Sequence, residues 1–232
     1  TGVQTCALPI CIDLSLIMAI LVLLQMRPYF VWQTPEIILI CVSIAITAIA
    51  IKNISFSRNA DLLCLLVFAY LLLSITRGAH IGGTIINLSF AFLPFMRAEF
   101  LWKVYNKFRI IIIGILFFSM ISFFTVLLGI QSPTDMIEPL NDLKQFRYAK
   151  FFLLVLPSTM DGFGNYCSIF DEKGVVGTMA GLMMCVEGFS FKKKGNIVIF
   201  LNGLLSLSLF FYVISAIYFM FRLPFKYKIL LL

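Results

Sequence analysis

The sequence predicts an all-α fold, namely a polytopic transmembrane helical bundle with about seven spans and one long outer loop. The first observation is the composition: of 232 residues, 61% are hydrophobic and only 12% are charged, and the mean hydropathy is +1.03. Soluble domains are far less apolar. The second observation is that long apolar runs alternate with polar segments, and each run approaches the roughly 20 residues that cross a hydrocarbon core of about 30 Å.

Two stretches of different origin are expected along the chain. Residues 1–10 resemble the translation of a common sequencing adapter at every position, and they are excluded from the fold prediction as an artefact. Residues 11–232 form the predicted membrane domain. We expect this domain to be truncated at both ends, because the adapter replaces its natural start and the chain stops within a further apolar run at residues 229–232.

Seven apolar runs are predicted to span the membrane in order. The first ends at Arg27-Pro28, and the second starts behind Pro35. The fifth is the clearest, because it contains no charged residue. The predicted spans are residues 12–26, 35–51, 62–76, 81–96, 110–130, 174–191 and 197–221.

The remaining long segment, residues 131–173, is the predicted outer loop. Residues 151–157 within it are apolar but too short to cross, which favours a re-entrant or interfacial piece. Among the short loops, one side of the membrane receives more Lys and Arg than the other, and Arg222 falls on the poorer side with Arg77. The positive-inside rule therefore puts residues 131–173 on the outer face.

Charges and cysteines exclude several kinds of partner. The net charge of +7 is assigned to cytoplasmic loops facing the anionic leaflet. No polar Lys/Arg cluster with interleaved aromatic residues occurs, so nucleic acid is not expected as a partner. Neither a C-x-x-C pair nor a His/Cys cluster occurs, so no metal, no cofactor and no disulfide framework is expected.

An abrupt change from polar to apolar sequence marks residues 165–186. Asp171, Glu172 and Lys173 end the polar part, and acidic residues suit the positive end of a helix. Gly177 and Gly181 have the small-xxx-small spacing that lets membrane helices approach closely. This pattern indicates either the mouth of a membrane-embedded site or an ordinary capped helix.

Two segments carry a resemblance to a known family. Phe170-Asp-Glu-Lys-Gly-Val-Val-Gly-Thr178 resembles the F-D/N-E-P-G-x-x-G stretch of bacterial O-antigen and capsule polymerases, which belong with the O-antigen ligases among polytopic membrane glycosyltransferases. Asn202-Gly-Leu-Leu-Ser-Leu-Ser-Leu-Phe-Phe-Tyr212 resembles the G-hydrophobic-hydrophobic-S-x-S helix that follows in the same proteins. Family members often carry Pro where Lys173 stands and Arg where Asn165 stands, and that Arg is thought to handle the lipid-linked phosphate.

The resemblance implies a metal-independent glycosyltransferase of cell-envelope polysaccharide biosynthesis. Such a protein would be a multi-pass protein of the bacterial inner membrane, and it would polymerise or ligate undecaprenyl-pyrophosphate-linked oligosaccharide repeat units at the outer face. Its partners would be that glycan and the lipid bilayer, with the oligomeric state left open. Two alternatives stay open at this stage, namely a transporter or flippase for the same glycans and a fragment without activity.

Candidate site residues follow from the chemistry of a lipid-pyrophosphate donor. A base must guide the attacking hydroxyl, and partial burial would bring the pKa of a carboxyl closer to ambient pH. Cations must hold the pyrophosphate, for which the Arg fork is well suited. The catalytic candidates are Glu172, Asp171 and His80, and the substrate-binding candidates are Arg147, Arg77, Lys150, Lys173 and Asn165.

Each candidate also has a structural alternative. Glu172 and Asp171 can cap a helix, and His80 can be an exposed turn residue. Lys and Arg are common at the headgroup boundary without any substrate. Glu187 lies inside the sixth apolar run, where an ionisable group is costly. Either snorkelling to the nearby inner interface or pairing with the cations at Lys192 to Lys194 explains it.

Overall fold

The computed structural model describes residues 13–54, 65, 67–72, 76, 84, 88–139, 146–159 and 162–222. The contacts divide the chain into two compact units. Unit 1 consists of residues 1–26 and 35–108, and unit 2 consists of residues 27–34 and 109–232.

Two apolar helices pack against each other in unit 1, and a longer helix begins in the same unit. Helix α1 (Leu14–Gln25) packs against α2 (Glu36–Lys52), and Met18, Ala19, Ile46 and Ala50 are fully buried. Ile54 pairs with Met96 in a short antiparallel bridge. The Arg97 N–H then donates to the Asn53 carbonyl at 2.9 Å, immediately before α3 (Ala98–Leu127) begins.

Asp13 caps α1 and gives unit 1 a pH-dependent contact. One carboxylate oxygen accepts hydrogen bonds from the Ser15 hydroxyl at 2.5 Å and the Ser15 N–H at 3.1 Å, and the other lies 3.1 Å from Lys107 Nζ. The Ser15 hydroxyl, followed by Lys107, lowers the pKa of Asp13 to about 2. The cap therefore stabilises unit 1 fully above the ordinary pKa of 3.8, and this contribution is lost as the pH falls through the lowered pKa.

We expect the Asp13→Asn variant to lose this pH dependence. The apparent melting temperature of the parent should fall between about pH 4 and pH 2 more steeply than that of the variant, because only the parent has a carboxylate to protonate there. Melting curves in detergent at several pH values measure the difference. Parallel slopes in the two proteins would show that Asp13 is not held in this contact.

Three short helices form the apolar part of unit 2 together with the second half of α3. They are α4 (Lys173–Val186), α5 (Lys194–Leu205) and α6 (Leu209–Arg222). Gly174 lies against Phe210 near the start of both α4 and α6, and Gly181 lies against Ile214 further along both. Helices α4 and α6 therefore run in the same direction, and α5 returns the chain between them.

The predicted span 197–221 is wrong as one continuous helix, because the chain turns at residues 206–208. The Ser206 hydroxyl donates to the Gly203 carbonyl at 2.7 Å and accepts the Ser208 N–H at 3.3 Å. Leu207 adopts a left-handed backbone with φ 47°. The Ser206 hydroxyl thus binds two backbone groups that a continuous helix would pair within itself, so the helix ends and a new one begins.

A four-stranded antiparallel sheet occupies the predicted outer loop. Its strands are β1 (Asp135–Ile137), β2 (Arg147–Phe151), β3 (Leu154–Thr159) and β4 (Gly162–Phe163), and their order is β1-β2-β3-β4. Residues 151–157 are therefore not a re-entrant piece, because most of them belong to the β2–β3 hairpin. Residues 152–153 form its turn, where Leu153 has φ 50°. Strand pairing satisfies the backbone groups of this apolar run.

The predicted all-α bundle of seven spans is wrong. The chain contains a sheet, and among the described residues only α3 is long and apolar enough to cross a membrane, judged by length and composition. Helices α1, α4, α5 and α6 are apolar but have only 12 to 14 residues. At 1.5 Å per residue they measure about 18–21 Å, which is less than the core thickness of about 30 Å. The predicted spans 62–76 and 81–96 are described only in part, at residues 65, 67–72 and 76 and at residues 84 and 88–96.

The two ends of unit 2 differ in charge. At one end, Arg109 of α3 lies 3.2 Å from Glu187, just after α4, and Lys193 lies 2.8 Å from the same carboxylate. Arg222 reaches this end too, since it bonds Tyr218, whose ring packs on Phe189. We call this end the basic end; its cations are Arg109, Lys192, Lys193, Lys194 and Arg222.

The opposite end of unit 2 carries the sheet, and we call it the sheet end. Ser122 of α3 donates to the Phe152 carbonyl at 2.7 Å, which ties the β2–β3 turn to the helix. The predicted position of Arg222 on the side opposite Lys192 to Lys194 is therefore wrong, because the turn at residues 206–208 sends α6 back towards the basic end.

Candidate functional site

A pocket of about 380 Å³ opens at the start of α4, at the sheet end of unit 2. Carboxylates, a lysine and an amide lie on its wall beside aromatic rings. The lining residues are Phe146, Tyr148, Pro157, Asn165, Cys167, Asp171, Glu172, Lys173, Gly174, Ser208, Leu209 and Phe210. We call this the α4 pocket.

A buried polar contact positions the segment that leads into the α4 pocket. Tyr166 is almost fully buried; its hydroxyl donates to Asn202 Oδ1 of α5 and lies 3.1 Å from the Ser119 hydroxyl of α3. Burial raises the pKa of Tyr166 to about 12, so the phenol keeps its proton near neutral pH. Three separate elements are thereby joined behind the pocket wall.

Tyr148 of β2 fixes the chain at Asp171. Its hydroxyl donates to the Asp171 carbonyl at 2.6 Å, and its ring packs edge-on against Trp32 and Phe146. Burial, followed by the hydrogen bond to Asp171, raises the pKa of Tyr148 above its usual value, so the hydroxyl remains a donor. The sheet therefore holds the backbone from which Asp171 and Glu172 project.

Glu172 occupies the N-cap position of α4 but does not act as a capping side chain. Its backbone is extended, with φ −140° and ψ 139°, and its side chain makes no capping hydrogen bond. The residue is exposed where it lines the pocket. The capping alternative is therefore wrong for the Glu172 side chain. Lys173 follows as the first residue of α4, beside the positive end of the helix dipole.

The two segments that carry the family resemblance meet in the structure. A Cβ atom added to Gly177 of α4 would lie 2.3 Å from Ser208 Cβ and 3.1 Å from Ser206 Oγ. Only a glycine lets α4 approach the serine turn this closely. The G-x-x-G and S-x-S patterns thus form one contact that shapes the α4 pocket.

Four of the eight predicted site residues lie together in the α4 pocket: Asn165, Asp171, Glu172 and Lys173. Arg147 does not line it; this exposed side chain pairs with Glu138 at 2.9 Å. Lys150 lies 5.9 Å from the centroid of the Tyr29 ring and lines a separate depression of about 200 Å³. Arg77 and His80 lie outside the described residues.

The sequence did not point to the aromatic part of the site. Phe146 and Tyr148 belong to a segment interpreted as loop, and Phe210 belongs to a run interpreted as the middle of a span. Ser208 was within the S-x-S pattern, and that pattern is the signal that marks its place in the pocket wall.

Glu187 is explained by ion pairs rather than by the α4 pocket. Its side chain is only 4% exposed and contacts both Arg109 and Lys193. Arg109 also donates through Nη2 to Asn196 Oδ1 at 2.5 Å. The predicted pairing with the lysine cluster is confirmed, and Arg109 is the additional partner from α3.

Comparisons with known proteins add nothing to the family resemblance, which is carried by residues 170–178 and 202–212 alone. No protein-family model, no curated protein and no solved structure matches the chain. Within the part of the chain that the structure describes, no group of three or more His, Cys, Asp or Glu side chains is placed to hold a metal ion.

Proposed function

We propose that the chain is an integral membrane glycosyltransferase that transfers lipid-pyrophosphate-linked oligosaccharide repeat units, by polymerisation or ligation. The observation that carries the proposal is the α4 pocket, which combines the Glu172 and Asp171 carboxylates with Lys173 and aromatic rings. Aromatic faces pack against sugar rings, carboxylates accept hydrogen bonds from sugar hydroxyls, and a cation suits a phosphate. The resemblance of residues 170–178 and 202–212 to O-antigen and capsule polymerases supports the same chemistry.

The proposed step is a displacement at the anomeric carbon of the donor sugar. An acceptor hydroxyl attacks that carbon, the new C–O bond forms, and the bond from the carbon to the pyrophosphate oxygen breaks. Glu172 takes the proton of the attacking hydroxyl. The pyrophosphate leaves as an anion next to Lys173 and the positive end of α4.

We propose the bacterial inner membrane as the location, with the sheet end outside. Helix α3 has the length and composition of a membrane-crossing helix. Large apolar side chains on α3 and α6, including Phe117, Phe124 and Ile217, are exposed, and lipid would cover them. The positive-inside rule favours the cytoplasm for the basic end, and the α4 pocket then faces the outer side, where undecaprenyl-linked glycans are polymerised.

We expect Glu172→Gln to lower glycan transfer by about 10²–10⁴-fold, because removing a general base has an effect of this size. The assay incubates the detergent-purified chain with undecaprenyl-pyrophosphate-linked repeat units and follows the length of the glycan. Glu36→Gln is the matched control. Glu36 is also an exposed glutamate at the start of a helix, but it belongs to unit 1. It should keep full activity.

Two outcomes would contradict the proposed function. Equal rates of glycan transfer in the parent and in Glu172→Gln would show that the α4 pocket does not take part in the reaction. Movement of the labelled glycan across vesicle membranes by the parent, without any change of glycan length, would instead identify a transporter.

A further inference from the structure

A second depression of unit 2 lies along α4 and α6 near the basic end. Its volume is about 580 Å³, and its walls are apolar. Leu182 of α4 lines it together with Ile214, Ile217 and Phe221 of α6, and Tyr218 and Arg222 line it near the end of α6. We call this the α4–α6 groove. It does not share a lining residue with the α4 pocket.

The walls of the α4–α6 groove carry much exposed hydrocarbon. Leu182 is 54% exposed and Phe221 is 79% exposed. An apolar surface of this kind is unfavourable in water and marks a place where a partner or lipid binds. Because α4 and α6 are packed closely at Gly181 and Ile214, the groove is a lengthwise furrow between two fixed helices.

A cation is held at one end of this furrow. Arg222 Nε donates to the Tyr218 hydroxyl at 3.1 Å, and the guanidinium carbon lies 5.8 Å from the centroid of the Tyr218 ring. Tyr218 is itself fixed, because its ring packs on Phe189 and Phe219. The basic cluster at Lys192 to Lys194 belongs to the same end of unit 2, and Lys193 already pairs with Glu187.

We propose that the α4–α6 groove binds one anionic phospholipid, with an acyl chain along Leu182, Ile214 and Ile217 and the phosphate on Arg222. The charge of Arg222 favours an anionic headgroup, because a guanidinium bonds a phosphate with a matched pair of N–H donors. The apolar lining of the groove favours a hydrocarbon chain over a peptide. A peptide would bring backbone N–H and C=O groups that apolar walls leave unpaired, whereas a hydrocarbon chain brings none.

The test measures lipid retention by native mass spectrometry on the detergent-purified chain incubated with phosphatidylglycerol or phosphatidylcholine of the same acyl chains. We expect the parent to retain more phosphatidylglycerol. Arg222→Gln should reduce that preference about fivefold, the effect of one cation at an anionic headgroup, and leave retention of phosphatidylcholine unchanged. Arg97→Gln, an exposed arginine of unit 1, is the matched control and should keep the parental preference.

A second variant separates the acyl chain from the headgroup. Leu182→Trp fills the furrow and should lower retention of both lipids, while far-UV circular dichroism confirms that the helices remain. Equal retention of the two lipids by the parent, or an unchanged preference in Arg222→Gln, would overturn the proposal. Glycan transfer is not measured in this assay, so the result is independent of the proposed function.

Discussion

Gly177→Ala adds only one methyl group, but it should strongly destabilise this chain. The added methyl would lie 2.3 Å from Ser208 Cβ and 2.6 Å from Ser208 Oγ, which is closer than van der Waals contact allows. Ser208 is buried, and its N–H is bonded to Ser206, so it cannot move aside without opening the turn between α5 and α6. We expect a loss of about 1–3 kcal/mol of stability, the usual cost of overpacking.

Gly114→Ala is the matched control for this substitution. Gly114 lies in the middle of α3, and a Cβ added there would meet no atom within 4 Å. Because alanine favours a helix over glycine by about 1 kcal/mol, this variant should be as stable as the parent or more stable. Apparent melting temperatures in the same detergent compare the two variants. Equal melting temperatures would show that α4 does not approach the serine turn as closely as described.

Gly177→Ala should also lower glycan transfer. Ser208 lines the α4 pocket, and moving α4 away from it displaces Glu172 and Lys173, which line the same pocket. If the variant folds with normal activity, the contact between the two resembling segments is not needed for the site.

Glu187→Ala is expected to destabilise the chain by about 3–5 kcal/mol. The substitution leaves the guanidinium of Arg109, whose side chain is only 13% exposed, without its carboxylate partner. Breaking a buried pair from one side has this cost because a charge remains without compensation in a poorly solvated place. The loss should appear as a lower melting temperature and as increased proteolysis near the basic end.

The exposed pair between Glu138 and Arg147 supplies the comparison. Both side chains are well exposed, at 70% and 65%, although the distance of 2.9 Å is shorter than that between Arg109 and Glu187. Surface pairs contribute about 0–1 kcal/mol, so Glu138→Ala should be nearly neutral. A similar loss in the two variants would mean that burial does not distinguish the two pairs.

Sequence patterns correctly located several helices, but they did not predict how many of these helices cross the membrane. The apolar runs at 35–51 and 174–191 coincide largely with α2 and α4, since unbroken apolar sequence favours helices in both settings. The polar-to-apolar change at Asp171 to Lys173 marks the real start of α4. Apolar composition, however, does not show whether a helix crosses a bilayer or only packs against other helices of the protein.

The sheet and the turn were missed for identifiable reasons. Strand β2 contains Arg147 and Lys150 and is followed by a short apolar run. The alternation of polar and apolar residues that predicts a strand is therefore difficult to recognise in this charged segment. The reversal at Ser206 to Ser208 depends on two hydroxyl hydrogen bonds and on the space at Gly177, which is far away in sequence. Arg222 was consequently assigned to the wrong end. Arg147 was named as a substrate-binding candidate, although its partner is Glu138.

Membrane-impermeant maleimide labelling of single-cysteine substitutions in intact bacteria determines which end of unit 2 faces outwards. The proposed location puts the α4 pocket on the outer side and the basic end in the cytoplasm. Glu138→Cys and Lys192→Cys place exposed thiols at the sheet end and at the basic end, and the parent sets the background from its own cysteines. We expect Glu138→Cys to be labelled in intact cells and Lys192→Cys to be labelled only after lysis. Labelling of Lys192→Cys in intact cells, with Glu138→Cys protected, would show that the basic end faces outwards and the α4 pocket faces the cytoplasm.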